Sequence, residues 1–142
     1  MGTVNTGSST FVQFLANSDQ LTGVSNGRLM IGVRNASGAI RNRATSGNGY
    51  NDGEWHHVVG TWAGGTSVPD IYVDGALDNG SSNSQGTGTS TASFGFAMFI
   101  GARNLRDTAD FHFNGQIDEA ALYDKVLSAA RIEAHYNAGV AA

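Results

Sequence analysis

Few side chains in this sequence are of a type and spacing that could do chemistry. The 142 residues include 12 Asp and Glu, 4 His and no Cys. Asp118 and Glu119 come nearest to a paired acid. Glycoside cleavage needs two carboxyl groups flanking one bond. Neighbours on a strand point to opposite faces, so these two cannot share a site. The same rule separates His56 from His57, with one expected in the core and one at the surface. His112 and His135 lie far away in sequence, and no zinc-ligand spacing occurs. Asp70, Asp74 and Asp78 span a strand and a turn, so they diverge and read as solvated turn residues. Asp107 and Asp110 lie in a polar stretch and could add oxygens to an ion site. Trp62 and Tyr72 could stack on a sugar ring from an exposed sheet face, with Asn and Gln of nearby loops reading its hydroxyls. The competing reading puts both aromatics in the core.

These residues need a scaffold, and the composition points to strands. Charged residues are 14% of the chain, against an ordinary share of roughly 25%. Twenty glycines and many Ser, Thr and Asn fill the difference. Solvated helices need Lys and Glu, whereas short strands joined by turns suit this mixture. Strands are predicted over 10–16, 28–35, 39–45, 55–62, 71–73 and 94–101. Turn signals fall at 17–19, 25–27 and 37–38. Asp74-Gly75 and Asn114-Gly115 are type I′ hairpin signals, the second joining 111–113 to 116–123. Residues 80–93 (GSSNSQGTGTSTAS) read as an exposed, mobile loop, and 102–110 as another. A helix is predicted after Ser128 as N-cap, with Leu127 and Ile132 as a hydrophobic staple and Gly139 as its stop. No repeat or boundary divides the chain, so 1–142 is read as a single domain.

Several segments read together. Residues 51–62 are NDGEWHHVVGTW, 71–75 are IYVDG, 100–101 are IG, 113–123 are FNGQIDEAALY and 127–136 are LSAARIEAHY. In this order they resemble the laminin-G-like jelly-roll domains of the concanavalin A-like lectin/glucanase superfamily. The resemblance covers about two-thirds of the chain. It implies an all-β antiparallel jelly-roll sandwich with one short C-terminal helix. It also implies that Trp55 anchors the core and that Asp118 helps to hold a structural Ca²⁺. Family members open with strands that have no counterpart before Thr10. An uncovered edge invites strand pairing, so a homo-oligomer or completion by a partner chain is expected.

A formal net charge of −4 and no basic block argue against nucleic acid. Arg28, Arg34, Arg41 and Arg43 read as a solvated strand face. No apolar run reaches the ~20 residues of a membrane span, and the first residues lack the pattern of a signal peptide. The leading expectation is a non-catalytic recognition module, extracellular or on a surface, that binds glycan or protein. The alternative is a structural jelly roll that decorates a virion or fibre. A remnant of a glycan hydrolase or lyase ranks below both.

Overall fold

The computed structural model describes residues 11–16, 27–34, 39–65, 67–85, 100–101, 103–105, 108–110 and 113–141. The predicted turns at 17–19 and 37–38, most of the strand predicted over 94–101, and Asp107 and His112 lie outside the described residues.

The chain is an antiparallel β-sandwich with one C-terminal helix. One sheet has four strands in the order β1 (Phe11–Ala16), β2 (Leu29–Arg34), β3 (Ile40–Ala44) and β7 (Ser82–Gln85). A second has β4 (Val58–Thr61), β5 (Asp70–Val73) and β6 (Ala76–Leu77). A two-stranded hairpin pairs β8 (Arg103–Leu105) with β9 (Thr108–Asp110). The helix α1 runs over Ala129–Val140.

Alternation in β2 puts Ile31 and Val33 on one face, where both are buried. Opposite them in the register stand Arg43 and Arg41. This face meets the second sheet, whose Ile71 and Val73 are also buried. Burial of each such aliphatic contributes about 1.5–3 kcal/mol. The arginines are not a solvated face: Arg41 is only 6% exposed. Its Nη1–H donates to the Ile40 carbonyl at 2.9 Å. Arg43 donates from Nε to the Pro69 carbonyl at 3.1 Å and so ties β3 to the segment that enters β5. Backbone carbonyls replace the water these guanidinium groups lose.

Other expectations fail for local reasons. Trp55 is 64% exposed and is not a core anchor, because β4 starts only at Val58. Part of the supposed loop at 80–93 is strand β7, which β3 pairs through its backbone whatever the side chains. The polar stretch 102–110 holds the β8–β9 hairpin. No strand occurs within 113–128, and Asn114-Gly115 lacks the positive φ of a type I′ turn. The helix passes through Gly139 to Val140.

Two local predictions hold. Asp74 and Gly75 take φ of 52° and 80°, and they turn β5 into β6. Ser128 caps α1, its Oγ accepting from Arg131 N–H at 3.3 Å. Ile132 then faces inward and is fully buried, while Tyr136, one turn on, lies over the β5–β6 turn.

Candidate functional site

Among the described residues, the densest titratable cluster sits where the β5–β6 hairpin meets the loop between β3 and β4. Asp74 anchors it. One carboxylate oxygen accepts from the His57 backbone N–H at 3.0 Å, and the other faces His56 Nδ1 at 2.9 Å. The far ring nitrogen of His56 lies 3.3 Å from Asp52. An imidazole with a carboxylate at each nitrogen can donate to both only when it is protonated. Burial opposes that charge, but the hydrogen bonds and charges of Asp74 and Asp52 outweigh it and raise the His56 pKa above 6.5. Asp52 is held below the usual carboxylate value, first by the Glu54 N–H on its carboxylate and then by His56.

Asp78 forms the second half of the cluster. Its carboxylate accepts from Ser46 N–H at 2.8 Å, from the Ser46 hydroxyl, and from Tyr50 at 2.5 Å. Burial pushes its pKa up, but these donors win and hold it low. Burial first and Asp78 second push the Tyr50 phenol up to about 12, so it stays neutral. The Tyr50 ring meets His56 edge-on, with centroids 5.2 Å apart. Asp70, the third of this series, accepts from Asn79 Nδ2 at 2.7 Å. The three aspartates are thus hydrogen-bonded side chains, not free turn residues. His57 faces another way: its ring lies 6.2 Å from that of Tyr136, and burial lowers its pKa.

The residues singled out for ligands lie elsewhere and apart. Tyr72 pairs with Val59 and Leu77 across the second sheet. Trp62 lies one residue past the end of β4. The Trp62 indole donates to the Ser67 carbonyl at 3.1 Å, inside its own loop. Asp118 is exposed, and its Oδ1 accepts from the Glu119 N–H at 2.8 Å. Among the described residues no three His, Asp or Glu side chains converge as a metal donor set.

Asp74 joins two sequence motifs, binding the W-H-H segment to the Y-V-D-G segment. The laminin-G-like model of the concanavalin A-like lectin/glucanases superfamily matches residues 2–133. The chain belongs to this family. Within this laminin-G-like domain, Asp74 is the contact between the two motifs. Over 100 aligned positions, 66% of this chain, it is 30% identical to the mouse (Mus musculus) sushi, von Willebrand factor type A, EGF and pentraxin domain-containing protein 1. The rat (Rattus norvegicus) protein of the same name is 29% identical over a stretch of the same extent. The chain spans 3% of the length of either relative. Among solved structures it is similar to residues 221–444 of an S-layer domain-containing protein from Clostridium thermocellum ATCC 27405, with 21% identity and a TM-score of 0.44. That likeness covers 91% of this chain and 64% of the other.

Proposed function

We propose that this laminin-G-like chain is a non-catalytic recognition module, outside the cell or on a surface, that binds glycan or protein. The observation that carries the reading is the saturation of its best titratable cluster. Both His56 nitrogens face carboxylates, and Asp78 already accepts from Ser46 and Tyr50. An imidazole whose two nitrogens are both engaged by carboxylates and a phenol held neutral are poor catalysts. They serve well as fasteners that fix the loops of a binding domain. A glycan array and a pull-down against surface extracts test this. Saturable binding to a defined glycan or protein is expected, and silence in both assays overturns it. A structural Ca²⁺ at Asp118 belongs to the same proposal. It requires a melting temperature that rises with Ca²⁺ and falls with chelator, and equal values remove it.

A second reading, structural assembly, has its own observation. Phe113, Ile117, Leu122, Tyr123 and Val126 are all large, apolar and exposed in one segment. Surfaces of this kind are commonly covered by a partner. Under this reading the chain sediments as an oligomer at micromolar concentration. A compact 14.8 kDa species alone defeats it.

A further inference from the structure

The dipeptide Asn-Gly occurs at Asn26, Asn48, Asn79 and Asn114. Asn26 lies outside the described residues. In such a pair the glycine nitrogen can attack the asparagine side-chain carbonyl and close a five-membered ring. Glycine favours the attack because it has no Cβ and its backbone turns freely. The three described pairs stand in different surroundings. Asn79 is tied at both ends of its amide: Oδ1 accepts from Ile71 N–H at 3.0 Å, and Nδ2 donates to Asp70 at 2.7 Å. Its partner Gly80 donates from N–H to the Ala44 carbonyl at 2.8 Å. The Asn48 side chain is exposed, but Gly49 N–H donates to the Gly27 carbonyl at 3.1 Å. Gly49 also lies so close to Gly27 that a Cβ on Gly27 would stand 2.5 Å from its nitrogen. Asn114 has neither restraint. Asn114 and Gly115 are both exposed, and neither makes a hydrogen bond among the described residues.

We propose that Asn114 is a site of spontaneous deamidation and that it reacts well ahead of Asn48 and Asn79. The Gly115 amide gives up its proton to hydroxide, and its nitrogen bonds to Asn114 Cγ. The bond from Cγ to Nδ2 then breaks, and the side-chain amide leaves as ammonia. Water opens the resulting succinimide at either carbonyl. One opening gives aspartate, and the other gives isoaspartate, in which the backbone runs through the side-chain carboxyl. The balance is one water taken up and one ammonia released. A glycine nitrogen that already donates to a carbonyl must first lose that hydrogen bond and the loop conformation it holds. Gly49 and Gly80 face this barrier and Gly115 does not. Local packing also keeps the reactive pair in place, since a Cβ at 115 would come within 2.6 Å of the Phe113 ring. The product sets a carboxylate at the head of the exposed apolar segment and adds one negative charge to a chain of net charge −4. The isoaspartate form also inserts a methylene into the backbone.

The test ages the whole chain in warm, mildly alkaline buffer and follows it by peptide mass spectrometry. Each deamidated peptide gains the mass difference between Asp and Asn, and chromatography separates the isoaspartate isomer. Conversion at Asn114 should run tenfold or more ahead of Asn48 and Asn79, with both isomers present. A parallel sample in guanidinium chloride should bring the three sites within a few-fold of one another, because unfolding removes the hydrogen bonds that set them apart. Gly115→Ala should slow conversion at Asn114 tenfold or more, and unchanged circular dichroism shows that the variant keeps its fold. An intact Asn114 in the folded chain, while the denatured chain converts, overturns the proposal. Asn48 or Asn79 keeping pace with Asn114 does the same. Conversion indifferent to Gly115→Ala overturns the attack by the Gly115 nitrogen. A spread of rates that persists in guanidinium also overturns the proposal, because the local sequence and not the fold would then set the order.

Discussion

Residues 46–78 and residues 113–128 both carry motifs of the family, yet they behave in opposite ways. In the first, Ile71 and Val73 are buried and Asp74 binds the consecutive residues His56 and His57. In the second, Leu127 alone is half-buried and every other residue is exposed. The sequences do not explain the contrast, since FNGQIDEAALY is as apolar as IYVDG is. What differs is the partner. Within the first, β4 pairs with β5 and α1 packs on β6, and its polar groups meet backbone donors. Within the second, Phe113 folds over Gly115, where an added Cβ would come within 2.6 Å of the ring. A motif records where a contact belongs, and burial follows only when the opposite surface is in place.

The largest expected effect tests that contrast on one residue type. Ile71→Ala should cost about 2–5 kcal/mol in denaturant unfolding, because Ile71 is fully buried. Ile117→Ala should stay within about 0.5 kcal/mol, because Ile117 is 48% exposed. Trp55→Ala belongs with Ile117 on this scale, against the core role that its motif suggested. Equal losses at Ile71 and Ile117 would show that 113–126 is packed in solution, and the contrast would collapse.

A smaller effect concerns the fastener. Asp74→Ala removes the hydrogen bonds to His56 and His57 and puts Ala at a φ of 52°. The loss should be about 1–3 kcal/mol, reduced from the full value of a buried pair because Asp74 is partly in solvent. Asp74→Asn keeps a residue that tolerates this φ and should cost less. Equal stability of Asp74→Ala and the parent chain would show that the contact is idle.

The smallest effect is one of pH. The folded-state pKa of His56 lies above its unfolded value, so its stabilisation is complete below about pH 6.5 and fades as pH rises through the folded value. His57 is shifted the other way, so its contribution is present above about pH 6.5 and lost as pH falls. The parent chain therefore shows a partial cancellation. His56→Gln should remove the acid-side gain and leave a chain that weakens as pH drops from 7.5 to 5.5. Parallel melting curves for parent and variant across that range would exclude the double carboxylate contact.

Legibility in the sequence follows the range of the physics involved. The Asp74-Gly75 turn and the Ser128 cap rest on φ preference and a bond three residues long, and both were readable. The alternation of β2 was readable for the same reason. Strand β7 was not, because its Ser and Asn residues prefer turns and only the ladder with β3 makes them a strand. The burial of Arg41 and Arg43 is not legible in the sequence, because their carbonyl acceptors come from folded backbone. The Asp74–His56 contact spans 18 residues, and no spacing rule announces it. Trp62 and Tyr72 look alike as aromatics, but Tyr72 lies on β5 whereas Trp62 lies past the end of β4, its indole donating to the Ser67 carbonyl.

The close fit at Gly75 also has a kinetic meaning. A Cβ there would stand 3.1 Å from the Tyr136 ring, so α1 sits directly on the turn between β5 and β6. The turn closes over a few residues, whereas the helix must return from about sixty residues away. Short loops close faster and at lower entropic cost than long ones. The seat for Tyr136 does not exist until the turn has formed, so docking of the helix is expected to follow closure of the turn.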